Sequence, residues 1–350
     1  MKKDDSPASE ILIQLLRQVP VIQNVRLREV GANLPGLGDF LIDMNVAGRR
    51  HAIACEVKES GQPRHVRQAL LRIKAYFKLV GGTTPVIIAP YLSAESQTLC
   101  REQNVGYMDL EGNIRLAFEG VFIERLVSAK PAPARRELKS LFRPKSARVL
   151  KVMLQEPVRT WRVTELAEAA DVSLGHVSNV RVGLLDREWA EVSDGGLYLS
   201  QPDKLLDAWR DVYEPPAGPR LLFYTSLHSG AFENAARKAL SLSKGHASFA
   251  SLSAAHWIAP YARTSINYFH ADKDGLAVIR NQLKLTTVEH GENVVVLMPK
   301  DEGILLDTIE PAPGAICTSP VQTYLDLNLA GERGREAADH LRTEKLTWWT

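Results

Sequence analysis

The sequence predicts an α/β protein of several domains, and three observations carry that expectation. At 350 residues the chain is too long for one ordinary domain. Two proline-rich stretches, 129–140 ("AKPAPARRELKS") and 214–220 ("EPPAGPR"), interrupt it. Along the chain, apolar residues recur with both the period of a strand and the period of a helix. The predicted domains are 1–130, 131–214 and 215–350.

Composition bounds the class. With 45% apolar and 24% charged residues the chain is globular. No apolar run approaches the roughly 18 residues that span a bilayer, so no membrane partner is expected. The start, "MKKDDSPASE", lacks the apolar core of a signal peptide. Cys55, Cys100 and Cys317 are few, odd in number and far apart, which fits reduced thiols, a cytoplasmic location and no zinc site. The net charge of +2 requires any nucleic-acid surface to be a local patch.

In the first part, "SEILIQLLRQV" has helical spacing and "NVRLREVG" alternates as a strand does. "GDFLIDMNVAG" and "RRHAIACEVK" read as two strands joined by a tight turn at Ala47-Gly48. "RHVRQALLRIKAYFKLV" is an amphipathic helix with a basic outer face, and "TPVIIAP" a short buried strand. "SAESQTLCREQN" is a helix with Ser93 as N-cap. "VGYMDLEGNIRLAF" and "VFIERL" complete the strands. The expected order opens as helix, three strands, helix, strand.

The stretch "CEVKES" places Glu56 and Lys58 two residues apart at a strand end, on one face. A hairpin symmetric about Ala47-Gly48 sets Asp39 opposite Glu56, within about 5.5 Å at Cβ. Two carboxylates so placed can hold a magnesium ion, and a lysine beside them can orient a water. Asp43 shares the parity of Asp39 and replaces it if the register slips. The bland reading is a solvated strand end. Asp109 and Glu111, beside a turn at Gly112-Asn113, read as a solvated hairpin or as further carboxylates for the same site.

Over residues 8–126 this arrangement resembles the PD-(D/E)xK nuclease-like fold, restriction-endonuclease-like with an αβββαβ core. The resemblance implies that Asp39, Glu56 and Lys58 are the catalytic residues, Asp39 and Glu56 being the metal ligands. Mg2+ is implied only if that site is active. The chain departs from the longer pattern, because Gly38 stands where the family has a proline.

In the middle part, "SARVLKVML" is a helix, and Thr164 can cap "ELAEAA". Ser173 can cap a further helix with Leu174, Val177, Val180, Leu184 and Leu185 on one face. "WAEVSDGGLYLS" is a hairpin about Asp194-Gly195-Gly196. The order resembles the winged helix-turn-helix of many bacterial transcription regulators, over 143–200. The resemblance implies double-stranded DNA as partner, with the second helix in the major groove. Centring Val177 on the buried face turns His176, Ser178, Asn179 and Val182 outward and leaves Arg181 near the buried stripe. His176, Ser178 and Asn179 are therefore the candidate base or phosphate contacts. Arg135, Arg136, Lys139, Arg143, Lys145, Arg148 and Lys151 form a basic run opposed only by Glu137. Arg143, Lys145 and Arg148 are the candidate phosphate contacts. The other reading of this domain is a wing used for protein contacts.

The last part is mixed α/β. Helices are expected at "SGAFENAARKALSL", "DGLAVIRNQLKL", "SPVQTYLDLNL" and "RGREAADHLRTEKL", and strands at "TSINYFHA" and "NVVVLMP". His228, His246, His256, His270 and His290 are scattered, and none has the spacing of a helical zinc site. No Gly-rich phosphate loop is present. "LSAAHWIAPY" and "SPVQTYLDL", with "APYLS" and "GYMDLEGN" earlier, resemble segments of AbiEi-type antitoxins of type IV toxin–antitoxin systems. That resemblance implies a DNA-binding autorepressor whose partner is a nucleotidyltransferase-like toxin. AbiEi-type proteins commonly begin with the winged helix, whereas a nuclease-like domain precedes it here.

Two functions stand at the level of the sequence. One is a DNA-binding transcriptional regulator, an antitoxin whose nuclease-like domain is a scaffold or a second DNA surface. The other is a magnesium-dependent endonuclease targeted by its winged helix. A homo-oligomer is compatible with either.

Overall fold

Seven strands lie in chain order across one mixed sheet in the first half of the chain. The computed structural model describes residues 7–29, 38–77, 83–127, 131–261, 264–301 and 303–348, the side chains of 29 and 74–77 excepted. The chain divides into two compact units, 1–138 with 182–188, and 139–181 with 189–350.

In the first unit, α1 (Pro7–Arg17) leads into β1 (Ile22–Glu29), β2 (Phe40–Val46) and β3 (Arg49–Val57). Then come α2 (Pro63–Phe77), β4 (Thr83–Ala89), α3 (Ala94–Glu102), β5 (Gly106–Asp109), β6 (Ile114–Phe118) and β7 (Val121–Arg125). The strands β1, β2 and β3 are antiparallel; β4 and β5 continue parallel to β3; β6 and β7 return antiparallel. The opening order is helix, three strands, helix, strand, as the periodicities require. Ala47 (φ 46°) and Gly48 (φ 82°) make the β2–β3 turn, with both central residues left-handed as a two-residue hairpin prefers. The register runs from Val46 opposite Arg49 to Phe40 opposite Cys55, so the hairpin is symmetric and does not slip.

Alternation along the strands builds two cores. Ile53, Cys55, Val86 and Ile88 pack with Leu12 and Leu16 of α1 on one face. Ile87, Ala89 and Tyr107 pack with Val66, Leu70 and Ile73 of α2 on the other, where Cys100 of α3 joins them. Ser93 caps α3, its Oγ accepting from Ser96 N at 3.2 Å.

The stretch expected to be an extended connector is not one. Residues Ala132–Leu141 form α4. Pro131 precedes it and Pro133 lies in its first turn, where a missing N–H costs nothing. The remaining "ARRELKSL" is rich in good helix formers. Residues 129 and 130 lie outside the described residues.

The second unit begins with α5 (Pro144–Gln155), α6 (Val163–Ala169) and α7 (Leu174–Asp186), followed by the hairpin β8 (Ala190–Ser193) and β9 (Gly196–Leu199). The last turn of α7 groups with the first unit. Ser193 faces Gly196 across the hairpin turn, and Trp161 bridges to Leu197. Thr164 does not cap α6. The helix begins two residues earlier than that cap requires, with Arg162 at the cap and its N–H donating to Glu165 Oε2 at 3.2 Å.

After α8 (Pro202–Val212) come β10 (Arg220–Tyr224), α9 (Ser229–Ser243), β11 (Ala247–Phe249), α10 (Ser251–Ile258), β12 (Asn267–Ala271) and α11 (Lys273–Gln282). Then follow β13 (Thr286–Thr287), β14 (Val294–Leu297), α12 (Gly303–Leu306), β15 (Thr308–Ile309), β16 (Cys317–Thr318), α13 (Pro320–Asn328) and α14 (Gly331–Lys345). The second seven-stranded sheet has the order β13-β10-β14-β12-β11-β16-β15 and is mixed. The helix α9 packs on α11, and α10 on α13 and α14. Among the described residues no helix is long and apolar enough to cross a membrane. Cys55, Cys100 and Cys317 are free and buried.

Candidate nucleic-acid interface and an acidic sheet end

The second helix of the middle segment separates into two faces. Val177 and Val180 are 1% exposed and Leu184 is fully buried, so the expected stripe holds at its centre. Leu174 departs from it. It is 52% exposed, because it is the first residue of α7 and extends past the edge of the core. Leu185 is half-buried, as is Arg181. Ser178 and Asn179 are exposed, and Val182 is 53% exposed. His176 is half-buried, with Nδ1 2.9 Å from Ser173 Oγ, a contact across the first turn that orients the ring.

The basic run divides by environment. Arg143 and Lys145 are exposed and have no side-chain partner among the described residues. Arg148 is held by Asp301 Oδ1 at 2.7 Å and Asp171 Oδ2 at 3.3 Å, its side chain 21% exposed. Lys151 is 5% exposed and meets Asp307 Oδ2 at 3.2 Å, so it belongs to the interior and not to a surface stripe that could follow a DNA backbone. Sequence reasoning missed Arg159, whose guanidinium lies 3.7 Å above the Trp161 ring centre. The signal was available in "VRTW", an arginine two residues before an aromatic. The exposed loop before α6 thus carries Arg159 and Arg162 near the start of the helical pair.

At the end of β3, Glu56 and Lys58 meet, and Asp39 lies against the backbone of Val57 between them. Asp39 N donates to Cys55 O at 2.7 Å, and Asp39 Oδ2 accepts from Val57 N at 2.8 Å. Glu56 is 7% exposed. Its Oε1 meets Lys58 Nζ at 2.5 Å and Arg72 Nη2, from α2, at 2.8 Å. The side-by-side projection of Glu56 and Lys58 therefore produces an ion pair closed by a second cation. Gly38 has φ +98°, and a Cβ there would lie 2.5 Å from Cys55 O. Glycine thus answers a close backbone approach that proline could not make.

Asp43 plays no part at this end. It faces Ala52 across the hairpin and pairs with Arg28 Nε at 2.8 Å. Asp109 is 1% exposed and organises its own turn. Its carboxylate accepts from Leu92 N, Glu111 N, Asn113 N and Asn113 Nδ2 at 2.8–3.1 Å. Glu111 is exposed. Both are accounted for as turn structure.

The donor set fits a magnesium ion poorly as arranged. Magnesium binds through oxygens with near-octahedral geometry. Here one Glu56 oxygen receives two cations and one Asp39 oxygen receives a backbone N–H. Among the described residues no group of three or more His, Cys, Asp or Glu side chains could hold a metal ion. The Asp39 carboxylate also lies close enough to add to the effect of burial in pushing the Cys55 thiol well above its ordinary pKa.

Comparison of the chain with protein-family profiles, curated proteins and solved structures gave no match.

Proposed function

We propose that this chain is a DNA-binding transcriptional regulator. The observation that carries the reading is α7, which buries Val177, Val180 and Leu184 while leaving Ser178, Asn179 and Val182 outward, beside a two-stranded hairpin. Read as a winged helix-turn-helix, the chain would lay this helix in the major groove. Asn179 can then pair with an adenine edge, and Val182 can touch a thymine methyl. Arg143, Lys145, Arg159 and Arg162 supply exposed cations for phosphates. The hairpin turn carries Asp194, and Glu191 of β8 faces Tyr198, so the phosphate contacts in this reading come from the helices and the loop before α6.

The resemblance to AbiEi-type antitoxins extends the proposal to an antitoxin and autorepressor, acting in the cytoplasm beside a nucleotidyltransferase-like toxin. The deciding experiment selects a DNA site from a random duplex pool with the purified chain. Selected DNA should be bound by wild type and lost by Asn179→Ala, by roughly 1–3 kcal/mol. Failure to enrich any sequence would remove the DNA reading.

A second reading, a magnesium-dependent endonuclease, rests on the Glu56–Lys58 pair and on Asp39 against the backbone of Val57 between them. The clamping of Glu56 by two cations favours the scaffold role for this domain. Incubation of plasmid with and without magnesium separates the two, since only an endonuclease gives metal-dependent nicking.

A further inference from the structure

A cavity of about 420 Å³ opens within the second unit, between α5, the end of α8 and the segment around Lys300. Its size lies in the range of small-molecule sites. Among the described residues five cations, Lys139, Arg143, Arg148, Lys151 and Lys300, line it against two carboxylates, Glu214 and Asp301. Those two are already engaged: Glu214 pairs with Lys139 at 2.5 Å, and Asp301 with Arg148 at 2.7 Å. Arg143 and Lys300 are left without a carboxylate among the described residues.

The floor and wall are built, not merely open. Lys151 is 5% exposed, and Asp307 is its one ion-pair partner among the described residues. An ammonium has three donors, so this buried cation has capacity for a further acceptor. Beside it, Tyr213 and Gln322 are held rigidly. The Tyr213 hydroxyl donates to Asp326 Oδ1 at 2.5 Å, and Gln322 Nε2 donates to the Tyr213 oxygen at 2.7 Å and to Asp326 at 2.9 Å. The wall is aromatic: Phe142 stacks on the buried Trp209, ring centres 5.3 Å apart and planes 9° from parallel.

We infer that this cavity binds a small planar organic anion. The aromatic wall accepts the ring by stacking. Lys151 at the floor, with Arg143 and Lys300, accepts the carboxylate or phosphate. Arg143 is shared with the proposed phosphate contacts, but the test is separate from DNA binding because it is read by direct titration without DNA. The chemistry has two sources, an aromatic carboxylic acid or a nucleotide, and the probes separate them.

The full chain is titrated calorimetrically with salicylate and with adenosine monophosphate, each against its neutral counterpart, salicylamide or adenosine. At least one anion is expected to bind at millimolar concentration or below, and its neutral counterpart at least about fivefold more weakly. In the Arg143→Ala/Lys300→Ala protein, checked by its thermal melt, that affinity is expected to fall at least about fivefold. Both replaced side chains are exposed, so the variant retains its core. Absence of binding by both anions overturns the inference. So does a smaller loss in the variant, or a neutral compound that binds as well as its anion.

Discussion

Lys58 Nζ lies 2.5 Å from Glu56 Oε1, and Arg72 Nη2 lies 2.8 Å from the same oxygen. A carboxylate 7% exposed is thereby neutralised by one neighbour just past the end of its own strand and one on the helix that follows. This pairing ties the end of β3 to α2. It gives Glu56 a structural role that a metal ligand would have to surrender.

Replacing Glu56 by Ala leaves Lys58 with its ammonium partly buried and unpaired. Destabilisation of about 1–3 kcal/mol is expected in urea titration. If the scaffold reading holds, the same variant binds DNA as tightly as wild type or more tightly, because a carboxylate repels phosphate. Loss of a magnesium-dependent nicking activity in this protein and in Lys58→Ala would instead promote the endonuclease.

Asp109→Ala removes the acceptor of the Leu92, Glu111 and Asn113 amides at once. Buried donors left without a partner cost about 1–3 kcal/mol each, partly relieved by relaxation. A loss of about 2–4 kcal/mol by chemical denaturation is expected. Asp109→Asn should lose less, since it keeps one carbonyl acceptor. Equal stability of Asp109→Ala and wild type would show that the turn does not depend on this carboxylate.

Gly196 opens β9 with φ +132°, and a Cβ there would lie 2.3 Å from Trp161 O. The clash is with backbone and cannot be relieved by a rotamer change. Gly196→Ala should therefore pull the hairpin from Trp161 and lower the melting temperature by an amount corresponding to about 1–3 kcal/mol. An unchanged melt would mean that the Trp161 bridge is dispensable.

Lys145 and Arg148 should behave differently toward DNA. Lys145 is exposed and unpartnered among the described residues, so Lys145→Ala should weaken binding to all sequences alike and reduce the salt slope by about one. Arg148 is committed to Asp171 and Asp301. Its replacement should cost folding stability and leave the salt slope nearly unchanged. Anisotropy at several salt concentrations distinguishes them, and identical slopes in the two variants would refute the division.

Burial lowers the pKa of His270 below its ordinary 6.5, and Lys151 adds to the effect while Asp326 opposes it. As pH falls through 6.5 the unfolded chain takes up a proton that the folded chain resists, so this residue's contribution to stability falls until the folded pKa is reached. Burial raises the pKa of Asp326 above 3.8, and its own contribution has the opposite sign, being lost as pH rises through the folded value. His270→Gln should therefore show a smaller drop in melting temperature between about pH 7.5 and about pH 5.5 than wild type. An equal drop would exclude His270 as a source of the acid sensitivity.

Much of the local structure was legible in the sequence because it depends on neighbours along the chain. Apolar spacing alone marks α1, the hairpin β2–β3 and the buried stripe of α7, and the left-handed pair Ala47-Gly48 sets the register that brings Asp39 beside the end of β3. Ser93 declares itself as a cap for the same reason. What the tertiary structure decided are the partners. Arg72 reaches Glu56 from another element, Asp171 and Asp301 claim Arg148, and Asp307 takes Lys151 into the interior. Asp109 turned inward to hold its own turn. Short strands such as β11 and β16 have too few residues to show a period and exist because neighbouring strands supply their hydrogen bonds. Period and turn chemistry are written in adjacent residues, whereas the state of a charge depends on what folding places next to it.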